Sequence, residues 1–113
     1  MSSRLFRSFR HAFRGLRTAL KTEKNFRIHV AITILVIILA WYKDIGRISW
    51  VVLLLVMALV MALEIFNSAI ERLVDMLAPK THSFAKEIKD LLAAMVLIVS
   101  LFAVAIGLII FLR

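Results

Sequence analysis

The sequence predicts an all-α membrane protein: one amphipathic surface helix followed by three transmembrane helices. Apolar residues make up 63% of only 113 positions, three long stretches carry no charge, and three glycines with one proline leave little material for sheet turns. A soluble domain this short buries a small fraction of its surface, so lipid is the easier place for so many apolar side chains. The mean hydropathy is +0.97, yet the formal net charge is +8. Without cysteine, neither a disulfide framework nor a thiolate metal site is available. The expected layout is a single membrane domain over 1–113: a surface helix at 1–24, spans at 26–43, 48–71 and 88–112, and a cytoplasmic loop at 76–84.

In the surface helix, Leu5, Phe9, Ala12, Phe13, Leu16 and Leu20 recur in three- and four-residue steps, as one helix face requires. Arg4, Arg7, Arg10, Arg14, Arg17, Lys21 and Lys24 recur on the other side. Such a helix lies in the headgroup layer with its basic face on anionic phosphates. A basic run also suggests nucleic acid, but the interleaved apolar residues and the adjoining spans favour the membrane. The plain alternative is an orientation anchor.

The charge-free stretches are Ile28 to Tyr42 (15 residues), Ile48 to Leu63 (16) and Leu91 to Leu112 (22). The third spans a bilayer alone, which takes ~20 helical residues. The first gains Asn25 and Phe26, with Arg27 and Lys43 snorkelling from its ends. The second gains length past Glu64 through Ile65, Phe66, Ala69 and Ile70. A cleaved signal peptide fits the first stretch poorly, because 27 mostly polar residues precede it and Lys43-Asp44-Ile45 follows it.

Lysine and arginine set the orientation. Eight lie in residues 1–27, two between Lys43 and Arg47, four between Arg72 and Asp90, and one at Arg113. Alternating sides gives twelve against three, so the N-terminus and second loop are expected in the cytoplasm and the C-terminus outside.

The informative chemistry lies at the inner end of the second span. Glu64, Asn67, Ser68, Glu71 and Asp75 stand at offsets that place them on one helix face. An ionisable group at membrane depth usually marks a site or a partner. The plain alternative is a polar seam between helices, with Arg72 pairing a carboxylate. Several carboxylates on one face repel unless a cation joins them, and Mg²⁺ accepts such ligands with phosphate oxygens and water. Glu71 and Glu23 are the candidates for that role. Glu64, about 10 Å from Glu71 along the axis, is the deeper carboxylate, placed to accept a proton from a lipid hydroxyl.

Neither a phosphate-binding glycine loop nor a soluble-kinase signature is present, and Gly15, Gly46 and Gly107 stand alone. His11, His29 and His82 are likewise isolated, with no zinc pattern; an interfacial or hydrogen-bonded His29 is the simple account.

The run Glu64-Ile65-Phe66-Asn67-Ser68-Ala69-Ile70-Glu71, with Val74-Asp75, closely resembles the signature of the small bacterial membrane diacylglycerol kinases, a family that includes undecaprenol kinases. Gly15-Leu16-Arg17 leading to Glu23 and Phe26-Arg27, and Ala85 to Asp90, agree in order and spacing, so the likeness covers almost the whole chain. The resemblance implies a homotrimer with active sites shared between subunits, in the bacterial inner membrane, and Mg²⁺ with ATP as phosphoryl donor. By position it implies Glu64 as catalytic base with Asn67 beside it, and Glu23 and Glu71 as metal carboxylates that also border the nucleotide. It further implies Lys89 and Asp90 at the nucleotide, and Arg4 and His82 near it. Glu64 and Ser68 are the expected lipid contacts. Two departures concern the acceptor. His29 stands where the proteobacterial type carries an acidic residue, and Ala93 where it carries serine. The stretch Asn25 to His29 is more like the undecaprenol kinases, which leaves undecaprenol and diacylglycerol both open. Two other classes are a non-catalytic membrane subunit, holding anionic lipid and partner helices, and a small multidrug transporter. The subunit reading leaves Glu23 and Lys89-Asp90 without a role. The transporter reading needs four spans and a glutamate in the first.

Overall fold

The structure, a computed structural model, describes residues 2–77 and 82–112, with the side chains of Ser2 and His82 left out. Four helices account for nearly all of it: α1 (Ser2–Thr22), α2 (Lys24–Lys43), α3 (Arg47–Leu77) and α4 (His82–Phe111). Three of them, α2, α3 and α4, are long and apolar enough to cross a membrane by length and composition. Residues 76–77 and 82–84, expected in a loop, are helical. At 1.5 Å per residue, α2 is about 30 Å long, the thickness of a hydrocarbon core, whereas α3 overshoots it. That surplus is the segment carrying the polar stripe.

α1 and α2 are separated by one residue. Glu23 takes an extended conformation (φ −110°, ψ 104°), and Arg27 folds back so that its Nη1 donates to the Leu20 and Lys21 carbonyls at 2.8 and 3.1 Å. Those carbonyls belong to the unpaired last turn of α1, where a cation also meets the helix dipole favourably. Sequence reading assigned Arg27 only to snorkelling; it also caps the preceding helix.

α2 ends in a Schellman turn. Ile45 N–H donates to the Ala40 carbonyl at 3.4 Å and Asp44 N–H to that of Trp41 at 3.3 Å. Asp44 itself holds the left-handed position (φ 53°), which suits glycine best and aspartate better than most residues. Gly46 is not needed there.

α3 packs against both α2 and α4, and α1 packs on α2. The core is small: Ala19, Phe26, Ala40, Leu53, Val60, Val74, Ala85 and Leu92 are its buried apolar residues, and Glu64 is the one buried charged residue among those described. Leu5, Phe9 and Phe13 on α1 are 57–68% exposed, as are many large side chains on the spans. Apolar surface on that scale is unfavourable in water and ordinary in lipid.

Candidate active site

Leu53, Val60, Glu64 and Val74 are the buried positions of α3, and their spacing makes one stripe facing the neighbouring helices. Glu64 thus occupies a core position that an apolar residue would fill more cheaply. Its Oε1 lies 3.8 Å from Nδ1 of His29 on α2. Asn67 follows one turn later, and its Oδ1 is buried with no hydrogen-bond partner.

A second cluster forms where α3 passes the α1–α2 joint. Arg72 Nη2 donates to Glu23 Oε2 at 2.8 Å and to Thr22 Oγ1 at 2.7 Å. The Arg72 hydrogen bond holds the Glu23 carboxyl below the usual glutamate range; burial opposes it, while a Ser68 hydrogen bond and the Arg72 charge assist. A groove of ≈ 400 Å³ opens here between α1 and α3, bordered by His11, Arg14, Glu23, Ser68 and Arg72. It offers both cationic and carboxylate groups.

The third cluster joins α3 to α4. Lys89 Nζ donates to Asp75 Oδ1 at 2.6 Å, with Glu71 adding negative charge nearby. Asp90 instead pairs with Lys86 at 3.2 Å on the exposed side of α4. Arg4 lies exposed on α1, and the His82 side chain falls outside the described residues. Of the expected residues, then, the fold gathers Glu23 with Ser68 and Lys89 with the Asp75–Glu71 end of the stripe, while Asn67 stands one turn from Glu64 on the same helix. It does not bring Asp90 or Arg4 into any of these clusters. Arg72 is the residue sequence reading undervalued: its partner lies 49 positions away, so only tertiary structure reveals the pairing.

No group of three or more potential metal ligands occurs among the described residues. The donor chemistry nonetheless fits Mg²⁺, which is commonly held by one or two carboxylates together with substrate phosphates and water. Glu71 makes no ion pair among the described residues, and Glu23 holds only an exchangeable one.

An apolar groove of ≈ 360 Å³ runs between α2, α3 and α4, from His29 and Thr33 along Val36, Leu53 and Val60 to Phe111. It meets the polar region at His29.

Residues 10–111 match the family described as prokaryotic diacylglycerol kinase. The chain is 37% identical over 110 residues to the undecaprenol kinase of Bacillus subtilis (strain 168), covering 97% of this chain and 89% of that one. It is 40% identical over 101 residues to the diacylglycerol kinase of Synechocystis, covering 88% and 58%. Against the diacylglycerol kinase of Escherichia coli (strain K12) it is 34% identical over 102 residues, covering 90% and 84%.

Proposed function

We propose that this chain, which belongs to the prokaryotic diacylglycerol kinase family, transfers the γ-phosphate of MgATP to the hydroxyl of a membrane lipid alcohol, undecaprenol or diacylglycerol. The observation that carries this reading is Glu64: a buried carboxylate on the core stripe of α3, where the helix changes from apolar to charged. A lipid hydroxyl lies at that depth, whereas the bulk of ATP stays in water. Glu64 takes the hydroxyl proton as the lipid oxygen bonds to the γ-phosphorus. The bond from that phosphorus to the bridging oxygen breaks, and ADP leaves.

Phosphoryl transfer depends on positioning and charge neutralisation more than on covalent help. Glu23 and Glu71 are the carboxylates that would hold Mg²⁺, and the ion when bound supplies charge neutralisation at the phosphates. Lys89 turns from Asp75 to the phosphates, with Asp90, Arg4 and His82 around the nucleotide. Asn67 supports the base, and Ser68 lies beside the lipid headgroup. Undecaprenol is the preferred acceptor, on the character of the segment from Asn25 to His29. The working form is a homotrimer in the bacterial cytoplasmic membrane, N-terminus and α3–α4 loop inside, with other copies and lipid covering the exposed apolar side chains.

Purified protein in mixed micelles with labelled ATP and Mg²⁺, given undecaprenol and diacylglycerol in parallel, tests the reading, with Glu64→Gln as blank. Label entering either lipid above the blank supports it, and the rate ratio names the acceptor. No label from a folded assembly would overturn it.

A further inference from the structure

We infer that His29 is a positioning residue for the Glu64 carboxylate, reaching from α2 to the base on α3; the inference rests on the lipid-kinase reading of the site. The His29 Nδ1 lies 3.8 Å from Glu64 Oε1. It is also one of two buried side-chain polar atoms without a hydrogen-bond partner among the described residues; the other is Asn67 Oδ1. The first faces Glu64 across the α2–α3 interface; the second belongs to the residue one turn further along α3. A buried polar atom is costly to leave unpaired, so His29 Nδ1, which faces Glu64 Oε1, gains most by pairing with that carboxylate.

His29 is held in place from below. Its carbonyl accepts a hydrogen bond from Thr33 Oγ1 at 2.8 Å, and the same hydroxyl lies 3.4 Å from the Met57 sulfur and 3.9 Å from that of Met61. The sulfur contacts cross from α2 to α3 one turn beyond His29, where the two helices meet. His29 also lines the apolar groove between the spans, whereas Glu64 does not.

At 3.8 Å the pair is beyond hydrogen-bond range. A shift of roughly 1 Å closes it, and catalytic hydrogen bonds often tighten only once substrate is bound. With the proton on Nδ1, the ring donates to Oε1 and leaves Oε2 facing the lipid hydroxyl. Without that donor the carboxylate rotates about its last bond, and the productive orientation is one among several.

The test uses full-length protein in mixed micelles with undecaprenol and with diacylglycerol, comparing wild type, His29→Phe, His29→Leu and His29→Gln. Phenylalanine and leucine keep apolar volume without a donor, and glutamine restores one. In both donor-free variants kcat falls about 10- to 100-fold, the worth of a hydrogen bond to a charged group. KM for ATP and for lipid stays within about twofold, the pattern of an interaction realised in the transition state. The glutamine variant recovers most of the loss. If the phenylalanine variant fails to assemble, the leucine variant carries the comparison. Donor-free variants with unchanged kcat, or a glutamine variant as impaired as they are, would overturn the inference while leaving the kinase reading intact. A wild type that labels neither lipid removes the kinase reading, and the inference goes with it.

Discussion

Replacing Arg72 with methionine keeps the aliphatic stem against α3 and removes the cation that ties α3 to the α1–α2 joint. The guanidinium spans two acceptors, Glu23 Oε2 at 2.8 Å and Thr22 Oγ1 at 2.7 Å, so its loss releases both sides of the joint together. The side chains of Arg72 and Glu23 are 50% and 28% exposed, and water screens such a pair; its worth is about 0.5–1 kcal/mol at moderate salt. On that scale the junction opens about two- to fivefold more often. Amide hydrogen exchange over residues 20–27 in micelles reads this directly, after correction for intrinsic rates. High salt should move the wild type toward the variant. So should acid, with a definite sign. The folded state holds the Glu23 carboxyl below its ordinary range, with the Arg72 hydrogen bond as the main cause. The pair therefore stabilises fully above the ordinary glutamate range and is lost as pH falls through the lower, folded value. Junction exchange that is indifferent to the substitution, to salt and to acid would refute the reasoning.

Glu64→Gln should lower transfer by about 10²- to 10⁴-fold while assembly and ATP binding persist; a variant keeping most of its activity excludes Glu64 as base. Glu71→Ala should raise the Mg²⁺ concentration needed for half-maximal rate steeply, and an unchanged metal titration would argue against its role as ligand. At the α2–α3 turn, Asp44→Gly should be neutral or slightly stabilising, whereas Asp44→Val should cost about 1–2 kcal/mol, because a β-branched residue tolerates the left-handed conformation poorly. Reversible unfolding in mixed micelles compares the two.

Periodicity and charge made the helices legible in the sequence. An uninterrupted apolar run identifies a span whatever packs against it, and the three- and four-residue steps of Leu5 to Leu20 identify a helix face. The breaks were less visible. One extended residue at Glu23 leaves no turn-forming signature, and the left-handed position fell on Asp44 with a glycine two residues later, where composition points to the wrong residue. For the site, the stripe from Glu64 to Asp75 was readable because its members lie on one helix. The pairing of Arg72 with Glu23 and of Lys89 with Asp75, and the approach of His29 to Glu64, join different helices, and spacing along the chain says nothing of which helices will meet.

One residue long, the link between α1 and α2 leaves a single pair of torsions, φ and ψ of Glu23, to set the angle between them. Since α1 is 21 residues, or about 30 Å, it acts as a rigid lever with its fulcrum at that carboxylate. A swing of about 10° moves the far tip by roughly 5 Å, yet at the fulcrum it is felt only as twist. Bending of the bilayer surface, or a change in how strongly its phosphates pull on the arginines, would therefore be geared down into a fine adjustment of the Glu23 side chain.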